Sequence, residues 1–130
     1  MPHILLDYSA NMEEAVDIPA LCDLLRRTGI DTGVFPMAGI RVRAFRADHV
    51  SIADGDSRHG YIDISVRLRG GRAFEDKKAA TERLFAAAKA FLQPVIDTHS
   101  MALSIEMRDI DPELSPKLNT IRDHLKDGRS

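Results

Sequence analysis

The sequence predicts an α+β fold. Two consecutive β-α-β units form a four-stranded mixed sheet with two helices on one face, followed by a short C-terminal helix. Three observations carry this. Hydrophobic periodicity runs strand, helix, strand, long loop, strand, helix, strand. "YIDISVRLR" alternates strictly: Ile62, Ile64, Val66 and Leu68 point one way, and Tyr61, Asp63, Ser65, Arg67 and Arg69 the other, so one sheet face is covered. The helical stretches are long enough to serve as right-handed crossovers between parallel strands.

Each element has a local reason. "HILLDYS", residues 3–9, is an apolar strand ending at the turn-formers Ser9 and Asn11. The next segment carries Ala15, Ile18, Leu21, Cys22, Leu24 and Leu25 at helical spacing. Asp17 is placed to cap that helix and Pro19 lies in its first turn. Arg26 and Arg27 occupy its predicted last turn and Gly29 its stop. After the loop "IDTGVFPMAG", Ile40, Val42 and Ala44 alternate with Arg41, Arg43 and Phe45 in a second strand over about 40–46. The polar stretch "DHVSIADGDSRHG" reads as a long loop, and its "DGDS" as a turn, because the further ligands of a calcium loop are missing.

Past "GGR", Ala80, Leu84, Ala88, Phe91 and Val95 form the apolar stripe of a long helix that Pro94 ends or kinks. In "MALSIEMRDI", Met101, Leu103, Ile105 and Met107 alternate with Ala102, Ser104, Glu106 and Arg108. Ser115 as N-cap and Pro116 at the first position predict a C-terminal helix over about 115–126. The whole, residues 1–130, reads as a single domain with pseudo-repeated units at about 2–47 and 61–109. The face left open would carry Leu or Ile side chains from the first strand and further apolar residues, which predicts self-association.

Composition narrows the function. A formal net charge of −2 and few aromatic residues argue against a nucleic-acid partner. No apolar run approaches the ~20 residues of a membrane helix, and no signal peptide is evident. These features, with Cys22 as the only cysteine, predict a cytoplasmic protein whose own N-terminus belongs to the mature fold. Cys22 reads as a small core residue. The five histidines show no metal-ligand spacing, and His3 reads as a sheet side chain rather than a base. Arg43, Arg46, Arg67 and Arg69 read as a solvated or intersubunit face.

Several segments carry a family likeness: "MPH…DYSAN", "GVFPMAGIRVR", "ADGD", "GGR" and "ALSIEMRDIDPELSPKLN". In order and spacing they resemble the 5-carboxymethyl-2-hydroxymuconate Δ-isomerase family of the tautomerase superfamily, over nearly the whole chain. Asp7 departs from it, standing where the family usually has Glu. The resemblance implies a tautomerase-like fold, a homotrimer that covers the open face, and Pro2 as catalytic acid/base once Met1 is removed. It implies a carboxylate clamp at Arg41. Arg72 and Gly71, at a turn and helix N-terminus that favour an anion, would also bind substrate, with Phe35 beside Pro36 on the pocket wall.

The implied substrate is a polycarboxylate enol, 5-carboxymethyl-2-hydroxymuconate, in homoprotocatechuate breakdown, with neither metal nor organic cofactor required. The chemistry is physically sound. An α-amino group titrates near ~8, and burial beside cations lowers that value toward ambient pH, where a general base works best. A related proline-based tautomerase or dehalogenase with another substrate, and a non-catalytic trimeric ligand-binding protein, are the alternatives.

Overall fold

The computed structural model describes residues 1–126. Strand β1 (His3–Ser9), helix α1 (Ile18–Asp31), strands β2 (Arg41–Ala47) and β3 (Gly60–Arg69), helix α2 (Phe74–Ile96) and strand β4 (Met101–Ile110) follow in the predicted order. Short 3-10 turns lie at Ala10–Met12 and Ile121–His124. The sheet order is β2-β1-β3-β4. β1 pairs parallel with β2, and β3 with β4; the two units meet in the antiparallel β1–β3 pair. An antiparallel seam between two like-handed units relates them by an approximate two-fold axis.

Both helices cover one face. Ile4, Leu6 and Tyr8 of β1 and Ile62, Ile64, Val66 and Leu68 of β3 are buried there against Leu21 and Leu25 of α1 and Leu84 and Leu92 of α2. Cys22 is half-buried against this core. Asp17 caps α1, its carboxylate accepting the Ala20 N–H at 3.0 Å.

The structure departs from expectation in specific places. α1 does not stop at Gly29 but runs to Asp31. Gly29 is buried inside it, and a Cβ there would lie 2.7 Å from Ile40 Cδ1. The left-handed residue that follows the helix is Gly33, at φ +77°. Arg26 and Arg27 are therefore not in the last turn; both reach back to Asp23. In α2 it is Leu92, not Phe91, that joins the buried stripe; Phe91 is more than a third exposed. Pro94 is tolerated inside α2, which ends two residues later.

The predicted C-terminal helix is absent over 115–120. Ser115 does not cap a helix: its hydroxyl donates to the Asp111 carbonyl at 2.6 Å, closing the turn that leaves β4. The chain beyond is an extended strap. Asn119 fastens it, donating to the Ala38 carbonyl at 2.8 Å and accepting the Ile121 N–H at 2.9 Å.

The open face is more polar than expected. β1 contributes a single aliphatic side chain there, Leu5, between His3 and Asp7, with Phe45 alongside on β2. Tyr61 donates to Asp7 at 2.7 Å and Ser104 to Asp63 at 2.7 Å, while an Arg43 guanidinium N–H donates to His3 Nδ1 at 3.1 Å. The bond to Asp7 pushes the Tyr61 hydroxyl up to about 12. The "DGDS" segment is a turn, with Gly55 at φ +89°.

Candidate active site

Pro2 immediately precedes β1, and its side chain is fully buried. Its carbonyl accepts the Arg41 N–H at 3.2 Å, which continues the β1–β2 pairing up to the proline. Gly39 leaves room for the ring: a Cβ at that position would lie 3.1 Å from Pro2 Cδ and 3.6 Å from Met1 Cα. Pro2 is thus held by the sheet on one side and the 36–40 loop on the other.

A cleft of about 280 Å³ opens at this end of the sheet. Met1, Pro2, Pro36, Gly39 and Leu68 line it together with Asn119 and Leu118 of the strap. Its charged lining residues are Arg69, Arg72, Lys117 and Arg122, with no carboxylate. None of these four forms an ion pair with a carboxylate among the described residues. A smaller recess that shares Met1, Arg69 and Lys117 with this cleft is also lined by His3 and Arg67.

This field acts on the amine of Met1. Burial first, then the charges of Lys117, Arg69 and Arg41, hold it below the usual α-amino value. Burial, followed by Arg67, Arg43 and Arg41, likewise holds His3 below the ordinary imidazole value. The neutral form of a nitrogen is favoured here because charge is both desolvated and repelled.

The residues singled out from the sequence fall in different places. Pro2 and Arg72 meet in the cleft. Arg41 does not line it; its guanidinium donates to the Gly39 carbonyl at 3.1 Å, close enough for its charge to reach the amine. Phe35 is buried in the core, and its neighbour Pro36 walls the cleft instead. Gly71 is exposed at φ +106°, a conformation that favours glycine, and shapes the turn without lining the cleft.

α2 begins at Phe74 rather than at Arg72, and its first turn carries Glu75 and Asp76, which occupy the dipole that was expected to favour an anion. Asp7 lies five residues along β1 from Pro2, about 17 Å away in an extended chain, and bonds Tyr61. It is therefore not beside this proline. Among the described residues, no three His, Cys, Asp or Glu side chains group as a metal ion would require.

The model of the 5-carboxymethyl-2-hydroxymuconate isomerase family matches residues 2–125. The chain belongs to this family. It is an isomerase with the tautomerase-superfamily fold. A curated Escherichia coli relative, 5-carboxymethyl-2-hydroxymuconate Delta-isomerase, is 32% identical over 121 residues, 93% of this chain and 96% of that protein. Two solved structures are similar throughout. One, of a 5-carboxymethyl-2-hydroxymuconate delta-isomerase, has a TM-score of 0.89 at 26% identity, covering 95% of this chain and 92% of the other. The second, a 5-carboxymethyl-2-hydroxymuconate isomerase from Deinococcus radiodurans R1, has a TM-score of 0.87 at 27% identity with the same coverage, 95% and 92%.

The residue pattern did not bring Arg69, Lys117 and Arg122 to this cleft, where the fold does. Arg69 had the right face but an unrecognised place: the end of β3 carries it into the cleft. Lys117 and Asn119 stand within the family-like segment "ELSPKLN", which was the available signal.

The close fit of Gly39 has a measurable consequence. Gly39→Ala is expected to push the Pro2 ring out of place and lower isomerase kcat/KM about tenfold. Because the added methyl is tight only against the ring, with the Met1 backbone and the Pro36 carbonyl at ordinary contact distances of 3.6 and 3.8 Å, the melting midpoint is expected to stay within about 5 °C of the parent. Kinetics and a circular-dichroism melt on the same preparation separate the two effects.

Proposed function

We propose that this protein converts 5-carboxymethyl-2-hydroxymuconate to its 2-oxo-3-ene isomer, in the breakdown of homoprotocatechuate, with the Pro2 nitrogen as acid/base after Met1 is removed. The observation that carries this is a buried, sheet-mounted Pro2 beside a cleft whose charged lining is entirely cationic. Once Met1 is gone, the Pro2 nitrogen is a secondary amine in the field that holds the Met1 amine low.

The neutral nitrogen takes the proton of the 2-hydroxyl. The oxygen's electron pair closes the C2 carbonyl, the two double bonds become one between C3 and C4, and C5 takes the proton from the pyrrolidinium. Charge builds on the C2 oxygen in between, and Arg72 and Arg69, which line the cleft, would stabilise it. The proton shift needs no metal or organic cofactor.

The same proposal includes a homotrimer that covers the open sheet face, where Leu5 is partly buried and Phe45 is 57% exposed. It also includes a cytoplasmic location. Among the described residues, no helix is long and apolar enough to cross a membrane.

The test is an ultraviolet assay of dienol loss on protein whose mass shows that Met1 is absent. Failure to turn over the substrate would reject the proposal. The pH dependence adds a check. A base must be neutral, so kcat/KM falls as pH drops through the amine's pKa. Removing a nearby cation stabilises the protonated amine and raises that pKa. Lys117→Met is therefore expected to move the acid limb of the kcat/KM profile to higher pH, and an unmoved limb would remove Lys117 from this role.

A further inference from the structure

We infer that the C-terminal strap selects for a third carboxylate on the substrate, with Arg122 as its principal contact and Lys117 beside it. This rests on the isomerase reading above and goes beyond it, because it assigns specificity to a segment outside both β-α-β units.

The four cations of the cleft come from two sources. Arg69 and Arg72 flank the Gly70-Gly71 turn at the end of β3. Lys117 and Arg122 come from the strap, which no helix organises over 115–120. The strap is nonetheless fixed in register. Asn119, between the two cations, is bonded on one side to the Ala38 carbonyl beside Gly39 and on the other to the Ile121 N–H that opens the turn carrying Arg122.

Four cations exceed what a dicarboxylate and one developing enolate would engage. The substrate has three carboxylates. Two on the muconate backbone and the C2 oxygen leave the carboxymethyl group, which branches from C5, in need of a partner. The strap supplies cations of separate chain origin for it, and none of the four is neutralised by a described acidic residue.

The test compares two substrates on processed protein: 5-carboxymethyl-2-hydroxymuconate and 2-hydroxymuconate, which lacks the carboxymethyl arm. The quantity read is the ratio of their kcat/KM values. Arg122→Gln is expected to lower that ratio about 10-fold or more, chiefly through KM for the tricarboxylate, the range expected for one lost charged hydrogen bond. Arg122→Lys is expected to restore part of it, since a point charge replaces the fork. Circular dichroism and the 2-hydroxymuconate rate report whether the variant folds. A ratio within twofold of the parent in Arg122→Gln, with the parent active on both compounds, overturns the inference and leaves the isomerase reading standing. A parent inactive on both compounds overturns both.

Discussion

Protein that keeps a residue in peptide linkage before Pro2 is expected to isomerise 5-carboxymethyl-2-hydroxymuconate about 10²–10⁴-fold more slowly than the processed chain, the usual worth of a positioned acid/base. The reason is electronic. An amide nitrogen delocalises its lone pair into the carbonyl and cannot accept the enol proton, whatever its surroundings. The fold should not suffer, because Pro2 is buried in a structure that carries Met1 in place. Pro2→Ala is a gentler change. A processed chain would still present a primary amine at the strand start, so its loss should be smaller than that of the blocked chain. Intact mass fixes which nitrogen is present, and kcat/KM on each preparation checks the order. Equal rates for blocked and processed chains would sink the role of Pro2.

Arg72→Ala is the second large effect, with kcat/KM expected to fall about 10²–10³-fold, the range seen when one donor to a developing oxyanion is removed. Arg72 lies in the cleft with Pro2, is exposed, and has no partner among the described residues, so its removal should cost little stability. Arg72→Lys should recover part of the rate, because the charge returns without the planar fork. The loss should fall on kcat as well as on KM, since charge on the C2 oxygen grows only as the proton leaves. A change confined to KM would instead make Arg72 a ground-state carboxylate contact.

Much of this architecture could be read from the residues because it is written in period two. Ile62, Ile64, Val66 and Leu68 left little choice of face, and two further alternations set β2 and β4, while β1 showed as an apolar run. The misreadings share one root: a local signal does not tell what packs, or fails to pack, around it. Gly29 resembles a helix stop, yet it is glycine because Ile40 and Phe35 press on it. Ser115-Pro116 resembles a helix start, but the hydroxyl is used by Asp111 and the apolar residues Leu114 and Leu118 stay 80% and 90% exposed, so nothing supports a helix there. For the site, Pro2 and Arg72 carried position in their neighbours, a strand and a glycine turn. Arg69, Lys117 and Arg122 did not, since only the folded chain brings the end of β3 and the strap to one cleft.

The approximate two-fold within the chain has a stoichiometric consequence. The position that mirrors Pro2 in the second unit falls at the start of β3, inside the chain, where the backbone nitrogen is an ordinary amide. Duplicating the scaffold therefore does not duplicate the reactive amine. With Pro2 in its proposed acid/base role, each polypeptide would offer one basic terminal amine and one inert counterpart, so an assembly of three chains would contain three reacting centres and not six. The unused end is correspondingly free to diverge. There His59 sits between Asp54 and Ser100 at 2.7 and 2.6 Å, holding a loop instead of a substrate.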